Sequence, residues 1–183
     1  MEGSRQPGTP PAVGHTYVPI PIRMSIEDFL YYEAGVLDDQ AYEAWLELFT
    51  EDMRYEVPVR VTRERNAEWD VSPTARIIHD SKDMLRVRIS RLKTEYAWAE
   101  DPPSRTRHFL SNVQVLPGEN DGEYQVRYNL LIYRSRGELP RYDLLSGKRR
   151  DVLRETPDGW RIASREVILD QSVLAVHNLS FFL

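Results

Sequence analysis

The chain has 183 residues, a formal net charge of -5 and no cysteine. That length is enough for one domain burying roughly 70% of the surface its unfolded chain exposes, without metal or disulfide support. The missing cysteines exclude a disulfide framework, a thiolate iron–sulfur cluster, a cysteine zinc site and a cysteine nucleophile. Mild acidity also argues against a nucleic-acid binder, which carries a basic excess on one face.

Residues 1–22 hold Pro7, Pro10, Pro11, Pro19 and Pro21 together with three glycines. Proline at that density opposes helix and central strand, so this stretch is expected to be an extended arm, either a free tail or laid along a partner. It lacks the charged-then-apolar pattern of a secretion signal, and no apolar run has the length of a membrane span. A cytoplasmic chain with one α+β domain over residues 23–183 is the expectation.

Ser25 is placed to cap a first helix, with Asp28 as the reciprocal capping residue and Ile26, Phe29, Leu30 and Ala34 at helical spacing. Asp38 or Asp39 is expected to cap a second helix, whose stripe is Tyr42, Trp45, Leu46 and Phe49. A strand follows over 51–61, where Met53, Tyr55 and Val57 alternate with polar residues and Pro58 implies an edge or a bulge. Residues 62–80 are polar and aperiodic and read as a long loop. Asp80 or Ser81 then caps a third helix over 82–93, with Leu85, Ile89 and Leu92 inward.

Beyond Pro102 and Pro103 the pattern is strand-rich. Tyr124, Val126, Tyr128, Leu130 and Ile132 alternate with polar residues in what reads as the longest strand. Pro157-Asp158-Gly159 marks a hairpin turn between 148–155 and 160–170. Three helices, one early strand and a final run of antiparallel strands give an α+β fold with a bent sheet around helices. That order is similar to the cystatin-like cone, which nuclear-transport-factor-two-like proteins, scytalone dehydratase and ketosteroid isomerase share.

The four histidines are His15, His79, His108 and His177, none at the spacing of a helical metal pair. His79, Asp80 and Asp83 could offer a nitrogen and carboxylates to a metal, or be a loop histidine beside a helix cap. Tyr31, Tyr32, Tyr55, His79 and His108 are the residue types a dehydratase or isomerase uses for acid–base work, and equally those of an amphipathic aromatic core. A free-standing binding module of the same cone is a third reading. The basic stretches Arg86, Arg88, Arg91 and Lys93, then Arg105 and Arg107, then Lys148, Arg149 and Arg150 lack a glycine-rich phosphate loop. Their arginine bias suits subunit boundaries. Leu179, Phe181, Phe182 and Leu183 need cover, under their own sheet or against another subunit.

The segment from Trp98 through Pro102-Pro103-Ser104-Arg105-Thr106-Arg107-His108 to Phe109-Leu110-Ser111-Asn112-Val113 resembles the hallmark of aromatic-ring-hydroxylating dioxygenase small subunits. Tyr31-Tyr32-Glu33-Ala34, Leu37-Asp38 and Tyr42-Glu43-Ala44-Trp45-Leu46 resemble that family's opening helices. Arg149-Arg150-Asp151-Val152-Leu153-Arg154 resembles its penultimate strand, and His177-Asn178-Leu179 with Phe182-Leu183 its closing segment. The resemblance implies a cone-shaped α+β fold in an assembly of three large and three small subunits, the small ones forming a trimer. The large subunit would carry the Rieske cluster and the mononuclear iron. The whole enzyme would insert dioxygen into an arene, of the benzene, toluene and biphenyl group, using NADH electrons through a reductase and ferredoxin. This chain itself would carry no catalytic, cofactor or metal residue. Trp98, Arg105, Arg107, Arg150, Asp151 and Phe182 are its candidate assembly residues.

Overall fold

A computed structural model describes residues 18–61, 71–92, 103–138, 140–173 and 181–183. The elements run α1 Ile20–Asp38, α2 Tyr42–Leu46, β1 Phe49–Arg60, β2 Val71–Asp80, α3 Lys82–Leu92, β3 Arg105–Pro117, β4 Glu123–Ser135, β5 Tyr142–Thr156 and β6 Gly159–Leu169. The strands form one six-stranded sheet in the order β2-β1-β6-β5-β4-β3. Only the β1–β6 pair is parallel; the remaining neighbours are antiparallel. The helices pack on one face of this bent sheet, and the fold is the cystatin-like cone.

α1 starts at Ile20, five residues before the expected Ser25 cap and inside the stretch read as an arm. Pro19 precedes the helix and Pro21 sits in its first turn, where the missing N–H had no partner to lose. Ser25 therefore lies within the helix, and its hydroxyl donates to the Ile22 carbonyl at 2.9 Å. Residues 1–17 lie outside the described residues.

Asp38 and Asp39 do not cap α2, which Ala41 precedes without a side-chain cap. Asp39 instead ends α1, and Gln40 turns the chain with φ 56°, its side-chain amide donating to the Ser104 carbonyl at 2.6 Å. Phe49 opens β1 rather than closing the second helix.

The stretch read as a loop over 62–80 contains β2. β2 is an edge strand whose residues are mostly exposed or half-buried, so no apolar alternation was there to betray it. Pro58 does mark a bulge, since the β1–β2 register shifts on both sides of it. The longest strand is β5, with 15 residues, not β4 with 13. Gly147 sits mid-strand in β5, where a Cβ would meet the Ile168 carbonyl oxygen at 2.5 Å, so β6 can lie close only against glycine.

The core lies between α1, α2, α3 and the inner face of the sheet. Ile26, Leu30 and Leu37 from α1 and Leu85 and Ile89 from α3 meet Val126, Leu130 and Ile132 of β4 and Leu145 and Leu153 of β5. Trp45 is the aromatic hub. Its ring packs edge-on to Phe49 at 4.8 Å and Tyr55 at 6.3 Å, and tilted against Phe182 at 4.5 Å. The final aromatics are therefore covered by this chain's own core, with Phe181, Phe182 and Leu183 all buried. Tyr55 donates its hydroxyl to the Leu183 carbonyl at 2.8 Å and accepts the Leu183 N–H at 3.1 Å.

Candidate functional site

Two regions carry the chemistry-bearing side chains: the interior of the cone and the outer face of the sheet.

The interior follows from register. Tyr128 of β4 sits opposite Arg149 of β5, Asp151 of β5 opposite Arg165 of β6, and Arg165 opposite Tyr55 of β1. All of them point inward, and Glu33 comes down on them from the buried stripe of α1. Arg165 is the centre. Its Nε and Nη2 donate to the two Asp151 carboxylate oxygens at 3.0 and 2.7 Å. Nη2 also donates to Glu33 Oε2 at 2.9 Å, and Nη1 to Glu33 Oε1. Trp45 donates its indole N–H to Glu33 at 2.9 Å, and the Tyr128 hydroxyl donates to Asp151 at 2.7 Å. Arg149 is held less fully. Its Nη1 reaches Glu33 and the Tyr128 hydroxyl, each at 3.3 Å, while Nε and Nη2 have no hydrogen-bond partner among the described residues.

Two carboxylates and two guanidiniums balance in charge. Burial pushes the Glu33 carboxyl upward, but the Arg165 and Arg149 guanidiniums outweigh it and hold Glu33 at about 2. Burial also drives the Tyr128 phenol well above its ordinary value, and the Tyr55 phenol upward. Arg165 is held charged, the Asp151 and Glu33 carboxylates outweighing its burial. Glu33 and Arg165 are thus held ionised and Tyr55 and Tyr128 neutral near neutral pH, which suits a strut and not a proton shuttle.

The residues of the alternative acid–base reading do not converge. Tyr31 and Tyr32 lie exposed on α1, while Tyr55 is engaged with Leu183. His79 is exposed on β2, with Nδ1 3.1 Å from Glu56. The His108 side chain is buried, with Nδ1 2.6 Å from Asp38 and Nε2 3.3 Å from the Phe182 carbonyl, tying α1, β3 and the closing segment together. Nor do His79, Asp80 and Asp83 form a metal face: Asp80 pairs with Arg88 at 2.8 Å and Asp83 with Arg86. Among the described residues no group of three or more His, Cys, Asp or Glu is placed to hold a metal ion.

The candidate assembly residues divide. Arg105, Arg107 and Arg150 point outward from β3 and β5, Arg150 pairing with Glu166 at 3.1 Å. Asp151 and Phe182 are inside, in the charge cluster and the Trp45 hub. Trp98 lies outside the described residues, as do His15, His177 and Asn178.

Sequence reasoning missed the cluster, reading Arg149 as a boundary residue and passing over Arg165. A signal was present. Arg149 and Asp151 share the parity of Leu145 and Leu153, and Glu33 stands three and four residues from Leu30 and Leu37.

The outer sheet face has two halves. Phe109, Leu131, Tyr133, Tyr142 and Leu144 form an apolar, aromatic upper half, in which Phe109 faces Leu131, Tyr133 faces Leu144, and Tyr133 stacks on Tyr142 at 5.5 Å. Below it lies a basin of about 280 Å³ lined by Asn112, Gln114, Arg127, Asn129, Lys148 and Arg150, without a carboxylate. Asn112 takes φ 57° at a bulge in β3, which opens the strand at the basin's rim.

A family model described as "Ring hydroxylating beta subunit" matches residues 32–176. The chain is 38% identical over 166 residues to the biphenyl 2,3-dioxygenase subunit beta of Rhodococcus jostii, covering 88% of each chain. It is 42% identical over 164 residues to the 3-phenylpropionate/cinnamic acid dioxygenase subunit beta of Photorhabdus laumondii, covering 87% of this chain and 90% of that one. Among solved structures, naphthalene 1,2-dioxygenase with indole bound superposes with a TM-score of 0.80 at 25% identity, over 92% of this chain and 89% of that one.

Proposed function

Because the chain belongs to the beta subunits of ring-hydroxylating dioxygenases, we propose that it supports a terminal oxygenase of three large and three small subunits, in which copies of this chain meet as a trimer. It is a non-catalytic subunit of an oxidoreductase of aromatic hydrocarbon catabolism, working beside a large subunit. The observation that carries the structural role is the interior of the cone: the space where an acid–base enzyme of this fold would keep a pocket holds the Glu33, Asp151, Arg149 and Arg165 cluster and the Trp45 hub.

In this reading the large subunit holds the Rieske cluster and the mononuclear iron. A reductase and a ferredoxin deliver NADH electrons, and the product is a cis-dihydrodiol. A one-ring or biphenyl-type arene is supported by the similarity to biphenyl, chlorobenzene and benzene dioxygenase beta subunits. The cytoplasm is the compartment proposed, in keeping with the absence of cysteine; among the described residues no helix is long and apolar enough to cross a membrane.

Arg105, Arg107 and Arg150 are proposed as direct contacts. Asp151 and Phe182 serve assembly through the fold they hold, and Trp98 remains a candidate contact. The test is native mass spectrometry with iron analysis of whatever co-purifies with this chain. A hexamer with equal numbers of a larger, iron-bearing partner is expected. Arg107→Ala, whose guanidinium is largely exposed and 3.8 Å from Asp38, should lower the yield of that complex and leave iron per large subunit unchanged. A chain that purifies alone would overturn the reading.

A further inference from the structure

The exposed side of α1 has an unusual composition for a free helix. Ile20, Met24, Asp28 and Tyr31 fall at i, i+4, i+8 and i+11, on one stripe, and Ile20, Met24 and Tyr31 are 57%, 60% and 54% exposed. Asp28 is exposed and Glu27 half-buried beside it, and neither carboxylate has an ion-pair partner among the described residues. The stripe runs from apolar to acidic to aromatic.

The outer sheet face has the matching order: the apolar half around Phe109, Leu131 and Leu144, then the basin with Arg127 and Lys148. Neither of those cations has an ion-pair partner among the described residues. Spacing agrees as well. Along a strand, Leu144 to Lys148 spans roughly 13 Å. Along a helix, Ile20 to Asp28 spans roughly 12 Å. α1 and the outer face lie on opposite sides of the sheet, so one copy cannot satisfy both.

We propose that the exposed stripe of α1 in one copy of this chain seats head to tail on the outer sheet face of the next, Ile20 and Met24 over Phe109, Leu131 and Leu144, and Asp28 over Arg127 and Lys148. The occupant is a second copy, because this chain carries both halves of the complementary pair. A head-to-tail contact between unlike surfaces closes into a ring when its rotation permits. The inference rests on the reading that copies of the chain assemble and specifies the two surfaces that meet.

A charge swap tests it, with sedimentation of the full chain in a dilution series and native mass spectrometry of the complex with its large subunit. Lys148→Glu and Asp28→Lys should each weaken self-association at least about tenfold, and combining them should restore it to within about threefold. Arg127→Glu should act as Lys148→Glu does. All three residues are exposed, so the thermal midpoint of unfolding checks that each variant is folded. Wild-type chain that stays monomeric both alone and in the complex, single variants that associate normally, or singles that weaken association without rescue in the double would each overturn the proposal. So would single variants that lose only the large subunit, which would assign the face to that partner. Co-purification of the iron-bearing large subunit with wild-type chain separates these failures from a failure of the subunit reading itself.

Discussion

Arg165, inside the cone, has its guanidinium donors taken up by Glu33, Asp151 and Tyr128, whereas Arg127 and Lys148, outside the sheet, face solvent without an ion-pair partner among the described residues. The difference is one of cost. A buried charge is tolerated only with its full set of partners, while an exposed one keeps its hydration and can wait for a partner molecule. The interior cations are therefore committed to the fold, and the outer ones are available for assembly.

The largest expected effect comes from breaking the interior. Arg165→Ala leaves Glu33 and Asp151 buried without their main counter-charge and should cost about 3–5 kcal/mol in chemical unfolding of the purified chain. Arg149→Met should cost clearly less, because two Arg149 donor nitrogens have no partner among the described residues and a thioether fills similar space. Equal losses for the two would show that bond satisfaction does not rank them.

Acid should reveal the same cluster. The Glu33 carboxyl is held at about 2, below its ordinary 4.5, so the unfolded chain binds the extra proton between those values. Its contribution is complete above about pH 5 and falls away as pH drops toward 2, a loss on the order of 3 kcal/mol. Glu33→Gln should flatten that limb of the stability–pH curve.

Smaller again is the surface trio of Asp52, Arg154 and Glu123. Mutual hydrogen bonds lower the Asp52 carboxyl and raise the Arg154 guanidinium, while Glu123 is lowered first by the Asn120 amide at 2.8 Å and then by Arg154, whose Nη1 is 3.0 Å from Asp52 and Nε 2.9 Å from Glu123. Solvent screens these charges, so Arg154→Ala should cost under about 1 kcal/mol, and salt should erase most of that. An effect as large as that of Arg165→Ala would remove the contrast between inside and outside.

Legibility followed the same division. Elements that bury an apolar stripe could be read from spacing: the inward residues of α3, the alternation of β4 and the Pro157-Asp158-Gly159 turn all stand where the pattern put them. β2 escaped because an edge strand buries too little to impose alternation. The start of α1 escaped because Pro19 and Pro21 read as breakers, though proline is at home in a first turn. The cluster escaped for a chemical reason. Glu, Asp and Arg are surface residues by default, and only pairing across four elements, which a linear pattern does not contain, makes their burial affordable. On the outer face, Phe109, Leu131 and Leu144 come together only once β3, β4 and β5 are in register, which spacing along one strand does not contain.

The interior of this cone supports the fold and takes no part in the reaction. Tyr128→Phe tests it most directly, because the Tyr128 hydroxyl bonds Asp151, Arg149 and Arg165 alike. The measurement is turnover per iron in the assembled oxygenase carrying that variant, beside the variant's own unfolding curve. The expected result is a stability loss of about 1–3 kcal/mol with turnover per iron within about twofold of wild type. A fall of about a hundredfold or more in fully assembled, fully iron-loaded enzyme, the size expected when a general acid or base is removed, would contradict it.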